Sequence, residues 1–170
     1  MKPAVRVMLC LALVSGLAAC NQSSGPLDEA GQQQPEAPAS ATPPVDTLSK
    51  RVVADQLPSI PGVGEVHGDS LVSTGKEGFL MFGPYAAVKA GTYSVAVEGN
   101  IASLPAGSVK VDVVSNLGKT SHGEHVMSEP GEFPAFEITL PATVSDLEVR
   151  VQVPEGARVA VSSYQLTRTP

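Results

Sequence analysis

The sequence predicts an all-β protein whose folded part is a single antiparallel β-sandwich, jelly-roll-like and of about eight strands. Three observations predict it. Apolar and polar residues alternate with period two in several separate runs of the second half of the chain. Glycine- and proline-bearing turn signals separate those runs at regular intervals. No stretch of that half has the three-to-four spacing of an amphipathic helix.

The amino terminus has a different character. Lys2 and Arg6 give it a short positive start, and Val7 to Val14 form an uncharged apolar run. That run is shorter than the ~20 residues that carry a helix across a bilayer. Small residues then lead to Leu17-Ala18-Ala19-Cys20. Charged start, short apolar core and small residues at the end are the anatomy of a secretory signal. The last four residues resemble the lipobox of bacterial lipoproteins. The resemblance implies cleavage before Cys20 and acylation of its thiol with diacylglycerol, a further chain such as palmitate joining its amine. Residues 1–19 are then a lipoprotein signal peptide. Two or three acyl chains exceed what stable anchoring needs, since each buried CH₂ contributes about 0.8 kcal/mol. Asn21 stands where aspartate favours inner-membrane retention in enterobacterial lipoproteins, so the resemblance implies the outer membrane, with the domain facing the periplasm. Cys10 would leave with the signal, and Cys20 would be blocked by lipid. The mature chain is therefore expected to hold neither a disulfide nor a free thiol pair.

From Cys20 to Pro61 the chain is rich in Gln, Ser, Ala, Pro and Glu. Such a composition buries too little apolar surface to offset its conformational entropy, so residues 20–61 read as a disordered, lipid-tipped tether. Val45 to Leu57 offers Leu48, Val52 and Val53 as a weak apolar face, suited to a short helix or an edge strand.

The sandwich is expected over residues 62–170. Leu71 to Ser73 is a weak strand candidate, and Gly78 to Phe82 is an apolar run fit for a buried strand. Alternation marks Tyr93 to Val97, Val109 to Val113, Phe136 to Leu140 and Leu147 to Val153, with a last strand from Val159 and Val161 through Tyr164 to Leu166. Glu124 to Met127 is a second weak candidate. Gly83-Pro84, Ala90-Gly91, Gly99-Asn100, Pro105-Ala106-Gly107, Asn116-Leu117-Gly118, Pro130-Gly131 and Glu155-Gly156 read as the turns between them. The core should be valine-rich, because the chain has no Trp, four Phe and three Tyr.

Gly78 to Val95, with its Gly-Pro-Tyr corner and a following strand that opens on Tyr93, resembles jelly-roll domains of the carbohydrate-binding-module type. The resemblance spans about residues 65–168 and implies the architecture and a glycan ligand. An aromatic platform for a sugar would come from Tyr85, Phe133 or Tyr164, since Phe79, Phe82, Tyr93 and Phe136 follow core-facing patterns.

The chemistry-bearing residues are sparse. No nucleophile elbow and no phosphate-cradling loop is present in the sequence. Glu124, Glu129, Glu132 and Glu137 are the carboxylates a glycoside hydrolase would draw on, though exposed positions are their ordinary place. His122, Glu124 and His125, with distant His67, are candidate zinc or copper ligands if a turn at Gly123 converges them. Asp69, Asp112 and Asn116 are candidate calcium ligands. The net charge of −6, without a cluster of Lys or Arg, argues against nucleic-acid partners and against electrostatic docking on anionic lipid. Removing Lys2 and Arg6 leaves 17 acidic against nine basic residues, about −8. The leading expectation is a non-enzymatic envelope lipoprotein, an interaction or structural module that meets the membrane through its lipid and an envelope protein through its sandwich. The alternatives are a glycan-binding accessory domain of polysaccharide machinery and a metal-binding lipoprotein.

Overall fold

The computed structural model describes residues 42–170. The expected signal peptide, Cys20 and the expected tether up to residue 41 lie outside the described residues. The twelve strands of the described part are β1 (Thr47–Arg51), β2 (Gly64–His67), β3 (Ser70–Ser73), β4 (Gly78–Met81), β5 (Pro84–Val88), β6 (Gly91–Ser103), β7 (Val109–Ser115), β8 (Thr120–Met127), β9 (Gly131–Glu132), β10 (Phe136–Leu140), β11 (Val144–Val153) and β12 (Arg158–Arg168). They form two sheets, so the fold is an all-β sandwich. One sheet runs β10-β6-β12-β3-β2, with β1 added on β12 and β9 on β6. The other runs β4-β11-β7-β8, and β5 shares with β4 the same side of β11. All strand pairs are antiparallel.

Alternation explains how the two layers meet. Leu147, Val149, Val151 and Val153 of β11 and Val109, Val111 and Val113 of β7 are all buried. They face Tyr93, Val95, Val97 and Ile101 of β6 and Val159, Val161, Tyr164 and Leu166 of β12. β-branched side chains suit this pleated, stiff interior. Each fully buried Val or Leu contributes roughly 1.5–3 kcal/mol, so no disulfide is needed to close a core of this size.

The sandwich starts earlier than composition indicates. β1 pairs with β12 from Thr47↔Thr167 to Arg51↔Ser163, and Leu48, Val52 and Leu57 join the core. Of the two conformations that Val45 to Leu57 allows, the edge strand is the one formed. Residues 45–61 therefore belong to the domain, not to the tether. Their proline content misleads because Pro58 and Pro61 both lie outside β1, so neither removes a donor from its ladder. The strand number also exceeds eight. β2 and β9 have no buried position, so alternation carries no trace of them.

Gly99-Asn100 is not a turn. Both residues lie inside the 13-residue β6. A Cβ on Gly99 would collide with the backbone carbonyl of Ala160 on β12, and the glycine sits at φ 155°. The residue type reflects close approach of two strands where β12 bulges between Val161 and Ser163.

Candidate functional site

The outward face of the five-stranded sheet collects charge along two neighbouring strands. Asp146, Glu148, Arg150 and Gln152 alternate with the buried residues of β11, and Lys110 and Asp112 with those of β7. The register sets Arg150 opposite Asp112 and Glu148 opposite Val114. Arg150 donates to both Asp112 oxygens, from Nε at 2.8 Å and Nη2 at 2.7 Å, a bidentate pair. The guanidinium also lies over the Phe79 ring, 4.9 Å from its centre. Phe79 thus points outward, against its core-facing pattern, while its neighbour Leu80 takes the interior. Lys110 Nζ stands 3.5 Å from Asp112 and 3.9 Å from Glu124.

Glu148 is the unusual member. It is 6% exposed, on a face of charged residues. Among the described residues its carboxylate has no hydrogen-bond partner, yet none of its atoms is sealed from solvent without one. Burial pushes its pKa above the ordinary carboxylate value; Arg150 opposes that shift, while Asp146 and Asp112 add to it.

Tyr85 stands on the other side of Glu148, which pairs with Pro84 of β5. Tyr85 is 46% exposed and takes φ 63°, a left-handed conformation uncommon for a bulky residue. Burial raises its phenol pKa, Glu148 raises it further, and Arg150 lowers it. Beside it runs an open groove of about 560 Å³ lined by Val45, Leu48, Lys50, Pro84, Ala86 and Ser145. The corner therefore joins an exposed aromatic, a shielded carboxylate and a fixed ion pair on a rigid sheet.

Of the three aromatics named as a platform, only Tyr85 is exposed. Tyr164 is 1% exposed, with its hydroxyl donating to the Gly83 carbonyl at 3.4 Å. The bulge between Val161 and Ser163 reverses the parity of β12, so Tyr164 and Leu166 point inward like Val159 and Val161 before it. Phe133 is buried too, tucked into the core from the segment between β9 and β10, where no periodicity betrays its direction.

The metal-ligand set does not assemble. Among the described residues no group of three His, Cys, Asp or Glu side chains is placed to hold a metal ion. Gly123 lies within strand β8 instead of turning the chain. His122 Nε2 pairs with Ser115 Oγ at 2.8 Å, and burial holds its imidazole below the usual pKa while Asp146 opposes that shift. His125 stacks on Phe136 of the other sheet, their centres 6.0 Å apart. Glu124 faces outward to Lys110. His67 lies on β2, 3.8 Å from Glu65. The calcium candidates are equally dispersed: Arg150 occupies Asp112, Asn116 lies in the β7–β8 turn, and Asp69 lies between β2 and β3 of the other sheet. The acidic residues named for hydrolysis separate likewise, Glu124 opposite Asp112 and Glu137 opposite Ser94 in the second sheet.

Glu148 and Arg150 escape a reading of the sequence because they occupy the outward beat of a regular strand, where charge is ordinary. The available signal is Asp146-x-Glu148-x-Arg150, three ionisable residues in a row on one face, across from Lys110-x-Asp112.

No protein-family model and no curated protein matches the chain. Among solved structures, the crystal structure of the C-terminal CBM6 of LamC, a marine laminarinase from Zobellia galactanivorans, is similar to it. The TM-score is 0.49 at 16% sequence identity, covering 72% of this chain and 99% of that one.

Proposed function

We propose that this protein is a non-enzymatic binding module of the bacterial cell envelope, acylated on Cys20, which takes a carbohydrate on the outward face of its five-stranded sheet at Tyr85. The observation that carries the reading is Tyr85 itself. It is a half-exposed aromatic held in a left-handed conformation, next to a shielded carboxylate and a groove. Backbone strain at an exposed side chain is a mark of function when the surroundings maintain it. A ring offers its face to the C–H groups of a sugar, and carboxylate and guanidinium edges serve hydroxyls. Binding fits better than catalysis, because Arg150 holds Asp112 and the Leu117 N–H holds Asp146, leaving Glu148 without a second free carboxylate at the corner.

The lipid anchor belongs to the same proposal. Cys20 and the tether would place the sandwich at the outer membrane, on its periplasmic side, within reach of envelope polysaccharide. Labelling cells with radioactive palmitate should mark the wild-type chain and leave Cys20→Ser unmarked. For the ligand, the Cys20→Ser mature chain should show saturable calorimetric binding to at least one oligosaccharide in a panel of envelope and plant glycans. Tyr85→Ala should weaken it tenfold or more with an unchanged melting temperature. No binding at millimolar sugar would overturn the carbohydrate reading and leave a protein partner as the occupant of the face.

A further inference from the structure

We infer that the Tyr85 corner selects sugars that carry a free amine, with Glu148 as the specificity-determining residue that receives the ammonium group; the inference rests on the carbohydrate reading above. Four carboxylates share this face: Asp112, Asp146, Glu124 and Glu148. Two cations share it with them, and both are engaged, as is Lys50 of the adjoining groove, 3.1 Å from Asp55. Arg150 has Nε and Nη2 on Asp112, and Lys110 lies between Asp112 and Glu124. Asp146 is held in turn by the backbone N–H of Leu117, at 3.0 Å. Glu148 alone of the four is nine-tenths buried with neither a hydrogen bond nor an ion pair to another described residue, its oxygens reaching solvent.

Such a group favours one kind of ligand. A shielded carboxylate whose oxygens meet solvent alone is poorly served, and a charge-assisted hydrogen bond from an ammonium relieves that deficit more than a neutral hydroxyl does. A uronate or sulfate would bring a like charge to Glu148 and find the guanidinium of Arg150 already forked on Asp112. Arg150 cannot turn toward it readily. Phe79 supports its guanidinium from one side, and both Asp112 oxygens hold it from another. The resting charge of the face thus ranks ligands as amino sugar above neutral sugar above acidic sugar. The raised pKa of Glu148 has the same origin, and a bound cation would draw it back down.

The test is calorimetry of the Cys20→Ser mature chain with three oligosaccharides of equal length, at about pH 6, where sugar amines are largely charged and carboxylates largely ionised. The three are β-1,4-glucosamine, its fully N-acetylated counterpart and an oligogalacturonate. The amine form is expected to bind at least tenfold tighter than the acetylated form, and the acidic form weakest. In Glu148→Gln, which keeps the shape of the side chain, the ratio of amine to acetylated affinity is expected to fall to about one. Equal affinity for amine and acetylated oligomers in the wild type would overturn the inference while leaving the carbohydrate reading intact. A ratio unchanged in a folded Glu148→Gln would overturn it as well, and so would equally tight binding of trilysine, which would show that charge alone suffices. Failure of all three sugars would instead strike the carbohydrate reading. The wild-type ratio decides the matter even if the variant melts early.

Discussion

Two residues show how differently a side chain can occupy a left-handed backbone. Tyr85 does so beside a shielded carboxylate, where strain is tied to a surface feature. Leu117 does so at the tip of the β7–β8 hairpin, with φ 55° and 76% of its surface exposed. Nothing in its surroundings explains the choice of leucine. Leu117→Gly should therefore raise stability by about 0.5 kcal/mol, the left-handed strain of roughly 1 kcal/mol outweighing the extra freedom of the unfolded glycine; chemical denaturation would measure it. Ser73 is the contrasting case. Its buried hydroxyl donates to the Ala157 carbonyl at 2.7 Å and accepts from the Val159 N–H at 2.8 Å, stitching β3 to the start of β12. Ser73→Ala should cost about 1–3 kcal/mol, because it strands two buried backbone groups. At this scale the sequence is least informative. Period-two alternation assigns Tyr93, Val111 and Val149 correctly, but a single bulge in β12 reverses Tyr164, and outward charge at Glu148 looks like any solvated strand position.

At the scale of elements, long and regular strands are legible and short or bulged ones are not. β7, β10 and β11 follow directly from their valines and isoleucine. β2 has no buried residue, and β6 hides its full length behind a glycine that serves close packing. The β7–β8 hairpin carries a pH response of its own. Its bulge lies at Val113 and Val114, and His122 there has its pKa lowered by burial and is paired with Ser115. A base whose folded pKa is depressed binds its proton more readily when unfolded, so stability should rise with pH. It is complete above the unfolded histidine value of about 6.5 and declines as pH falls below it. Glu148, raised in the fold, contributes with the opposite sign nearer its own range, and the depressed carboxyls of Asp46, Asp55 and Asp146 act below about 4. Urea denaturation of the wild type and His122→Asn between pH 7 and pH 5 should isolate the histidine: the variant's stability should fall less over that interval.

For the whole molecule, the boundary of the sandwich is the informative quantity. A chain starting at Thr42 keeps β1 and the three core residues Leu48, Val52 and Leu57. One starting at Gly62 loses them, and with them roughly 5–9 kcal/mol of apolar burial at about 1.5–3 kcal/mol each. That approaches the whole net stability of an ordinary domain, about 5–15 kcal/mol. Residues 42–170 should therefore melt cooperatively by circular dichroism, and residues 62–170 should be unfolded or melt more than 10 °C lower. The sequence conveys the all-β class and the two-layer core because both depend on many residues at once. It misplaces the boundary because the proline-rich segment combines tether-like composition with three well-spaced apolar side chains, and composition averages those away.

Asp46 binds Lys89 at 2.6 Å and Arg168 at 2.7 Å, so the first and last segments of the sandwich meet at one carboxylate. The polypeptide path through the fold is thereby nearly a closed ring. Joining the region of Thr42 to Pro170 by a short glycine linker and opening the ring at the exposed tip near Leu117 would preserve the pairing of all twelve strands. The same closure makes the sandwich a module that can be inserted into a surface loop of another protein as readily as it can be appended to an end.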